Sequence, residues 1–320
     1  VLSDVKGQDE AVRFLRCVVE DRFTDPLLLV GSEGVGRRFS ALQAVKEVYC
    51  LGERESGCAC PGCTQVDKGV HRDLTVLVGS ETSPIKIDMI RELIDTAWRA
   101  PLIAPRRYIL LDGVDHMTME AANALLKTLE EPPEAARFLL MAESYAHVLS
   151  TIRSRCGKVS YRPLPDSFVL SVVSRFEKDD VKASIYARMG EGSVGRSLSY
   201  SDAGKLGLRD RVFALLQQAL DGEIPGVFSA IDGIGKELPL GLRFTEHLLH
   251  DFLMVSTDPS RIINTDLKDE VQRLGGKAKL SVWLKFSDGL RKVVALYHRS
   301  TSINLPFHVK ALFAETFFVV

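Results

Sequence analysis

Leu27-Leu28-Leu29-Val30-Gly31-Ser32-Glu33-Gly34-Val35-Gly36-Arg37-Arg38 joins a short apolar run to a glycine-rich turn, and the composition then becomes helical over Arg37–Tyr49. A strand, such a turn and a helix together form the arrangement that holds nucleotide phosphates. Backbone N–H groups and the helix N-terminus meet the oxygens, a lysine reaches the terminal phosphates and a hydroxyl holds Mg²⁺. Gly31, Gly34 and Gly36 stand where that arrangement needs glycines. Arg37 takes the place of the lysine and Arg38 that of the hydroxyl. A guanidinium is a wide planar fork rather than a point charge, and a cation at the metal-ligand position repels the metal. Two readings stay open: a tight turn with two basic residues in the first helical turn, or a crippled phosphate site. The Gly-x-Gly-x-x-Gly order is missing, which argues against an NAD-binding oxidoreductase.

Working outward, Leu74–Val78, Tyr108–Leu111 and Phe138–Met141 read as further buried strands. After Pro84 the apolar positions Ile87, Ile90, Leu93, Ile94 and Ala97 recur at helical spacing, and Met119–Glu130 forms a second helical stretch stopped by Pro132-Pro133. This alternation predicts an α/β fold with a largely parallel, doubly wound sheet and helices on both faces. Past Tyr161-Arg162-Pro163 the strand signal fades. Phe168, Val169, Val172, Val173 and Phe176 mark one amphipathic helix, Val181–Met189 a second, and a short third starts near Val194 after Gly190 and Gly192. From Lys205 the chain reads as helices only, most clearly Val212–Leu220, Leu242–Met254, Leu280–Tyr297 and Pro306–Phe318. The division expected is 1–162, 163–204 and 205–320.

The 320 residues are 46% hydrophobic and 26% charged, the proportions of a globular protein. Apolar runs such as Leu27–Val30 and Ile109–Leu111 are too short to cross a bilayer, and the N-terminus shows no secretory pattern, so a cytoplasmic protein without a membrane partner is expected. Lys and Arg total 41 against 42 for Asp and Glu, a net charge of −1, which excludes a protein that grips DNA unaided through basic excess. Of the six cysteines, Cys50, Cys58, Cys60 and Cys63 cluster, and in a reducing compartment such a cluster points to a metal rather than a disulfide. Cys17 and Cys156 read as packed small residues.

The strand Tyr108–Leu111 ends in Asp112, placed to face Mg²⁺ in a nucleotide-hydrolysing protein. Where a catalytic glutamate would polarise water the chain has Gly113. Asp115 is out of register for that role and is expected to cap the following helix.

Asn123-Ala124-Leu125-Leu126-Lys127-Thr128-Leu129-Glu130-Glu131-Pro132-Pro133, Phe138-Leu139-Leu140 and Ser154-Arg155-Cys156, in that order and spacing, closely resemble the AAA+ subunits of bacterial sliding-clamp loaders. Asp4-Val5-Lys6-Gly7-Gln8 resembles that family's N-terminal motif. The resemblance implies an AAA+ domain with a P-loop NTPase-like sheet, then a small helical lid domain and an all-α collar domain for oligomerisation. Ser-Arg-Cys is the family's arginine-finger motif, so Arg155 is expected to reach across a subunit boundary toward ATP held next door, where a guanidinium neutralises charge developing in phosphoryl transfer. A lost lysine and glutamate beside a retained Ser-Arg-Cys resemble the delta-prime subunits of the DNA polymerase III holoenzyme, which act as stators. Gly192-Ser193-Val194-Gly195-Arg196 resembles the lid motif of the second nucleotide sensor, but Arg196 lies one place later than the motor subunits' arginine, where Gly195 stands.

The resemblance further implies a four-cysteine zinc module in the 50–63 insertion. Four thiolates saturate tetrahedral Zn²⁺ and leave a structural role. The single residue between Cys58 and Cys60 makes it harder for both sulfurs to reach one metal, and three cysteines with His71 form a variant. ATP with Mg²⁺ is not expected to be hydrolysed by this chain. Implied partners are motor AAA+ subunits, a clamp-opening subunit, the sliding clamp and primer–template DNA. Lys86 and Arg91 are candidate DNA contacts, as are Arg106 and Arg107 unless they lie in a solvated loop. The alternatives are a motor-type subunit with an atypical phosphate loop and a replication or repair adaptor reusing the fold.

Overall fold

The computed structural model describes residues 1–201, 205–255, 257–299 and 303–318. The chain divides into two compact units, Val1–Val172 with Gly190–Arg196, and Val173–Met189 with Ser197–Val320. The 163–204 stretch is therefore shared between them.

The first unit alternates strands and helices: α1 (Asp9–Val19), β1 (Leu27–Val30), α2 (Arg37–Tyr49), α3 (Pro61–Asp67), β2 (Leu74–Val78), α4 (Ile87–Ala97), β3 (Arg107–Asp112), α5 (Met119–Glu130), β4 (Ala136–Ala142), α6 (Ser150–Arg153), β5 (Gly157–Ser160) and α7 (Asp166–Val173). The strands form one five-stranded sheet in the order β2-β3-β4-β1-β5, with every pairing parallel. β5 gave no strand signal because Val159 is its one apolar residue and it lies at the sheet edge. Phe176, expected on an apolar helical face, lies beyond the end of α7 and is exposed.

Side chains two apart on a strand face the same way, so β1 feeds two cores. Leu27 and Leu29 pack with Leu139 and Met141 against Leu15 of α1 and Ala41, Ala44 and Val45 of α2. Leu28 and Val30 pack with Leu140 and Ala142 against Ile90 and Leu93 of α4 and Leu125 and Leu129 of α5. Helices thus cover both faces of the sheet, as a parallel sheet requires.

The second unit is helical: α8 (Asp180–Met189), α9 (Val194–Tyr200, which straddles the division), α10 (Lys205–Leu220), α11 (Ile224–Ile234), α12 (Leu238–Met254), α13 (Lys268–Gly275), α14 (Leu280–Arg299) and α15 (Leu305–Phe313). Its core stacks Trp283 on Phe252 at 4.5 Å between ring centroids. The buried Asp251 carboxylate accepts from the backbone N–H groups of Ile263 at 2.7 Å and Asn264 at 2.9 Å, pinning the loop before α13. α11 escaped sequence reading because Pro225, Gly226 and Gly233 interrupt its pattern, although proline is tolerated in a first helical turn.

Arg107, a candidate for DNA or a solvated loop, is instead buried. It donates to Asp73 Oδ1 at 3.3 Å and to the Ala100 carbonyl at 3.1 Å. Asp73 also accepts from the backbone N–H groups of Leu102 (2.7 Å), Ile103 (2.8 Å) and Ala104 (2.9 Å), so one carboxylate anchors the whole loop between α4 and β3. Burial works to raise the Asp73 pKa, but these amides and Arg107 outweigh it and hold it below the ordinary value. Asp73→Ala is expected to cost about 3 kcal/mol or more in urea unfolding at neutral pH, because it strands a buried guanidinium and three amides. The carboxylate's contribution is complete above its unfolded-state value of 3.8 and is lost as the pH falls through the lower folded-state value. The gap between variant and parent should therefore narrow in acid.

Candidate functional site

The strands are all parallel, and β1 and β3 deliver the expected cleft residues at their carboxyl ends. Gly31 continues β1, and its N–H donates to the Ala142 carbonyl at the end of β4 (3.2 Å). Gly34 and Gly36 adopt left-handed backbone, and Gly36 is the N-cap of α2. Gln8 ties the turn down: its Nε2 donates to the Val35 carbonyl (3.2 Å) and to the Arg162 carbonyl (2.7 Å). Sequence reading placed Gln8 in a motif without a role.

The 190–196 segment sits directly on the turn. The Ser193 hydroxyl donates to the Glu33 carbonyl at 2.7 Å, and the Gly195 N–H to the Gly34 carbonyl at 3.1 Å. A Cβ on Gly195 would lie 2.9 Å from Gly34 Cα, so this approach has no room for a side chain where motor subunits are expected to carry arginine.

Charge in the cleft is arranged around Arg37, which is 9% exposed and whose Nη1 is buried with no hydrogen-bond partner among the described residues. Burial raises the pKa of Asp112 above the ordinary carboxylate value; Arg37 and Arg38 oppose that shift, while Asp115 and Glu33 reinforce it. Glu143, immediately after β4, is raised in the same way by desolvation, with Arg37 opposing. Two carboxylates that resist ionisation mark a cleft shielded from water. The protein supplies its own cation there in Arg37, while Arg38 points to solvent. Glu143 was missed by sequence reading. The signal available was its place at the carboxyl end of a parallel strand, where ligand crevices form.

Gly113 has φ +86, and a Cβ there would lie 2.4 Å from the Gly79 carbonyl oxygen. The backbone is thus closed to the glutamate that hydrolysis would need. Asp115 does not cap α5 as expected; Thr118 does, accepting from the Ala121 N–H at 3.3 Å. Asp115 Oδ2 accepts instead from the Glu143 and Ser144 N–H groups at 2.8 and 3.2 Å, so it holds the exit of β4.

Arg155 follows α6. Its Nε donates to Glu130 Oε1 at 2.7 Å and its Nη1 to the Thr151 carbonyl at 2.8 Å. Its hydrogen bonds run to α5 and to its own turn rather than to the glycine turn. Tyr145 lies between Arg153 and Lys158, 4.8 and 4.5 Å from its ring centroid, which braces the loops on either side of the arginine. Next to it, burial pushes the Cys156 thiol up to about 12.

The Sγ atoms of Cys50, Cys58, Cys60 and Cys63 all lie within 4.8 Å of one another. Cys50 and Cys58 are 3.7 Å apart and Cys60 and Cys50 3.9 Å. A tetrahedral zinc with bonds of about 2.3 Å separates its sulfurs by about 3.8 Å, so the cluster fits such an ion. The single residue between Cys58 and Cys60 is no obstacle, because both sulfurs lie within 4.8 Å of those of Cys50 and Cys63. Backbone N–H groups of Cys63 and Leu51 pull the Cys60 thiol down to about 6, whereas burial pushes Cys63 up. His71 lies outside the cluster: its ring stacks on Tyr49 at 4.1 Å, and its Nδ1 accepts from the Asp73 N–H.

Lys86 and Arg91, the candidate DNA contacts, are exposed at the start of α4, where Lys86 is the N-cap and Arg91 pairs with Asp88 at 3.4 Å. Arg106 pairs with Asp21 at 2.8 Å.

Residues 7–165 match the family described as DNA polymerase III, delta subunit. The delta-prime subunit of Pseudomonas aeruginosa is 34% identical over 43% of this chain and 43% of its own length. That of Bacillus subtilis is 32% identical over 46% of this chain and 45% of its own. The tau subunit of Bacillus subtilis is 28% identical over 82% of this chain and 47% of its own length. The chain thus spans less than half the length of each of these relatives. In fold it is similar to a DNA polymerase III gamma subunit-related protein of Thermotoga maritima, with a TM-score of 0.52 at 19% identity over 96% of this chain and 98% of that one. No helix among the described residues is long and apolar enough to cross a membrane. The glycine turn, the parallel sheet and the matched sequence together relate this chain to the AAA+ subunits of bacterial clamp loaders, delta-prime among them.

Proposed function

We propose that this chain is a non-hydrolysing, stator-like subunit that presents Arg155 to ATP held by a neighbouring AAA+ subunit and so helps to load the sliding clamp onto primed DNA. The observation that carries this reading is the contrast between its own cleft and its rim. In the cleft, Gly113 has no space for a catalytic side chain, and Gly195 sits against Gly34. At the rim, Arg155 is partly exposed on a braced turn. Phosphoryl transfer needs charge neutralised in line with a positioned water; this chain keeps a cation for a neighbour and lacks the water-positioning glutamate. The partners on this reading are motor AAA+ subunits, a clamp-opening subunit, the sliding clamp and primer–template DNA, with Lys86 and Arg91 at the DNA. The cysteine cluster holds one structural zinc.

A motor-type subunit is the second reading, favoured by the match to proteins named gamma and tau. The purified chain separates the two: no ATP turnover above background is expected, and sustained turnover abolished by Arg37→Ala would establish the motor reading instead. Gly113→Glu is expected to create no turnover and to destabilise the chain by about 1–3 kcal/mol in thermal melts, through strain at a left-handed backbone.

In the complex assembled with partner subunits, Arg155→Ala should lower DNA- and clamp-stimulated ATPase by about ten-fold or more. An unchanged rate would rule out the finger. Elemental analysis of protein purified without chelator should give one zinc per chain; Cys63→Ser should lose it and lower the melting temperature, while far-UV circular dichroism of the sheet unit changes little.

A further inference from the structure

We propose that Glu130 parks Arg155: the carboxylate occupies the edge of the guanidinium that a phosphate would use, and releases it when the neighbouring nucleotide arrives. This inference rests on the reading in which Arg155 serves a neighbouring ATPase. Glu130 Oε1 accepts from Arg155 Nε at 2.7 Å and also from Nη2. Those two donors form the side of the fork that makes paired bonds to carboxylates and phosphates. Nη1 is held separately by the Thr151 carbonyl (2.8 Å) and the Ser154 hydroxyl (3.2 Å), which fixes the guanidinium from behind.

Glu130 is the last residue of α5, where the helix dipole disfavours a carboxylate. Arg155 is the cation that offsets it. The pair is 28% exposed on the arginine and 46% on the glutamate, so water competes with it and it can exchange. A terminal phosphate carries more negative charge than one carboxylate and can displace Glu130 from the same edge without moving the turn. Glu130 is therefore a positioning residue that never touches the nucleotide. Its effect is to raise the ATP concentration at which the finger engages.

The test is steady-state ATPase of the assembled clamp loader carrying the parent chain, Glu130→Gln, Glu130→Asp, Arg155→Ala or the Glu130→Gln/Arg155→Ala double variant. Glutamine keeps the shape and loses the charge. Glu130→Gln should lower the half-saturating ATP concentration about two- to five-fold, the range expected for an exposed ion pair, with kcat unchanged. Glu130→Asp should stay near the parent value, and in the Arg155→Ala background Glu130→Gln should have no effect. A reduced kcat in Glu130→Gln, an unmoved half-saturating concentration, or the same shift without Arg155 overturns the parking role. If Arg155→Ala strongly reduces turnover while Glu130→Gln is silent, parking alone fails. If Arg155→Ala is itself silent, the finger reading fails and parking falls with it. Thermal melting of each variant chain, expected to match the parent within a few degrees, separates these outcomes from misfolding.

Discussion

Parallel pairing of β1 with β4 on one side and β5 on the other is the constraint from which the rest of the first unit follows. Parallel strands share one direction, so their carboxyl ends meet at one edge and deliver Gly31, Gly113, Glu143 and Tyr161 side by side. The register is enforced by burial on both faces. A slip of one residue would move Leu27 and Leu29 into the core built for Leu28 and Val30, and every neighbour would have to follow. With the edge fixed, the chemistry of the site depends on what each strand exit carries.

Those exits enclose one buried cation and two desolvated carboxylates. The charge of Arg37 acts on Asp112 and Glu143, but burial outweighs it and holds both carboxylates toward their neutral forms. Backbone approaches backbone closely there, since a Cβ on Gly195 would meet Gly34 and one on Gly113 would meet the Gly79 carbonyl. Arg155, by contrast, sits on a turn braced by Tyr145 and bonded to the end of α5. One polypeptide therefore combines a desolvated cleft around one buried arginine with a second, partly exposed arginine held on a braced turn.

Away from the cleft, two small polar devices hold loops that have little core of their own. The Asp73 carboxylate gathers the three amides after α4, and the four thiols gather the loop between α2 and α3. The first replaces apolar burial with directed hydrogen bonds, which is why it depends on a single side chain.

The fold class was legible in the residues themselves. Leu27–Val30 before the glycines, Arg37–Tyr49 after them, and the proline stop behind Glu130 set local structure through turn chemistry and helical period, and α2 and α5 begin and end where those signals lie. The motif around Arg155 and the four cysteines could be picked out for the same reason, since spacing along a chain is a property of sequence. Edge strand β5 was not legible because an edge needs little apolar content, nor was α11, whose proline and glycines hide its period. Pairings between distant residues were decided by tertiary structure alone. It buried Arg107 on Asp73, gave Asp115 to the β4 exit rather than a helix cap, brought Glu143 beside Arg37, and set Glu130 on Arg155. Each sets a charged group among partners distant along the chain, and that outcome depends on distance in space and on desolvation, which sequence separation does not encode.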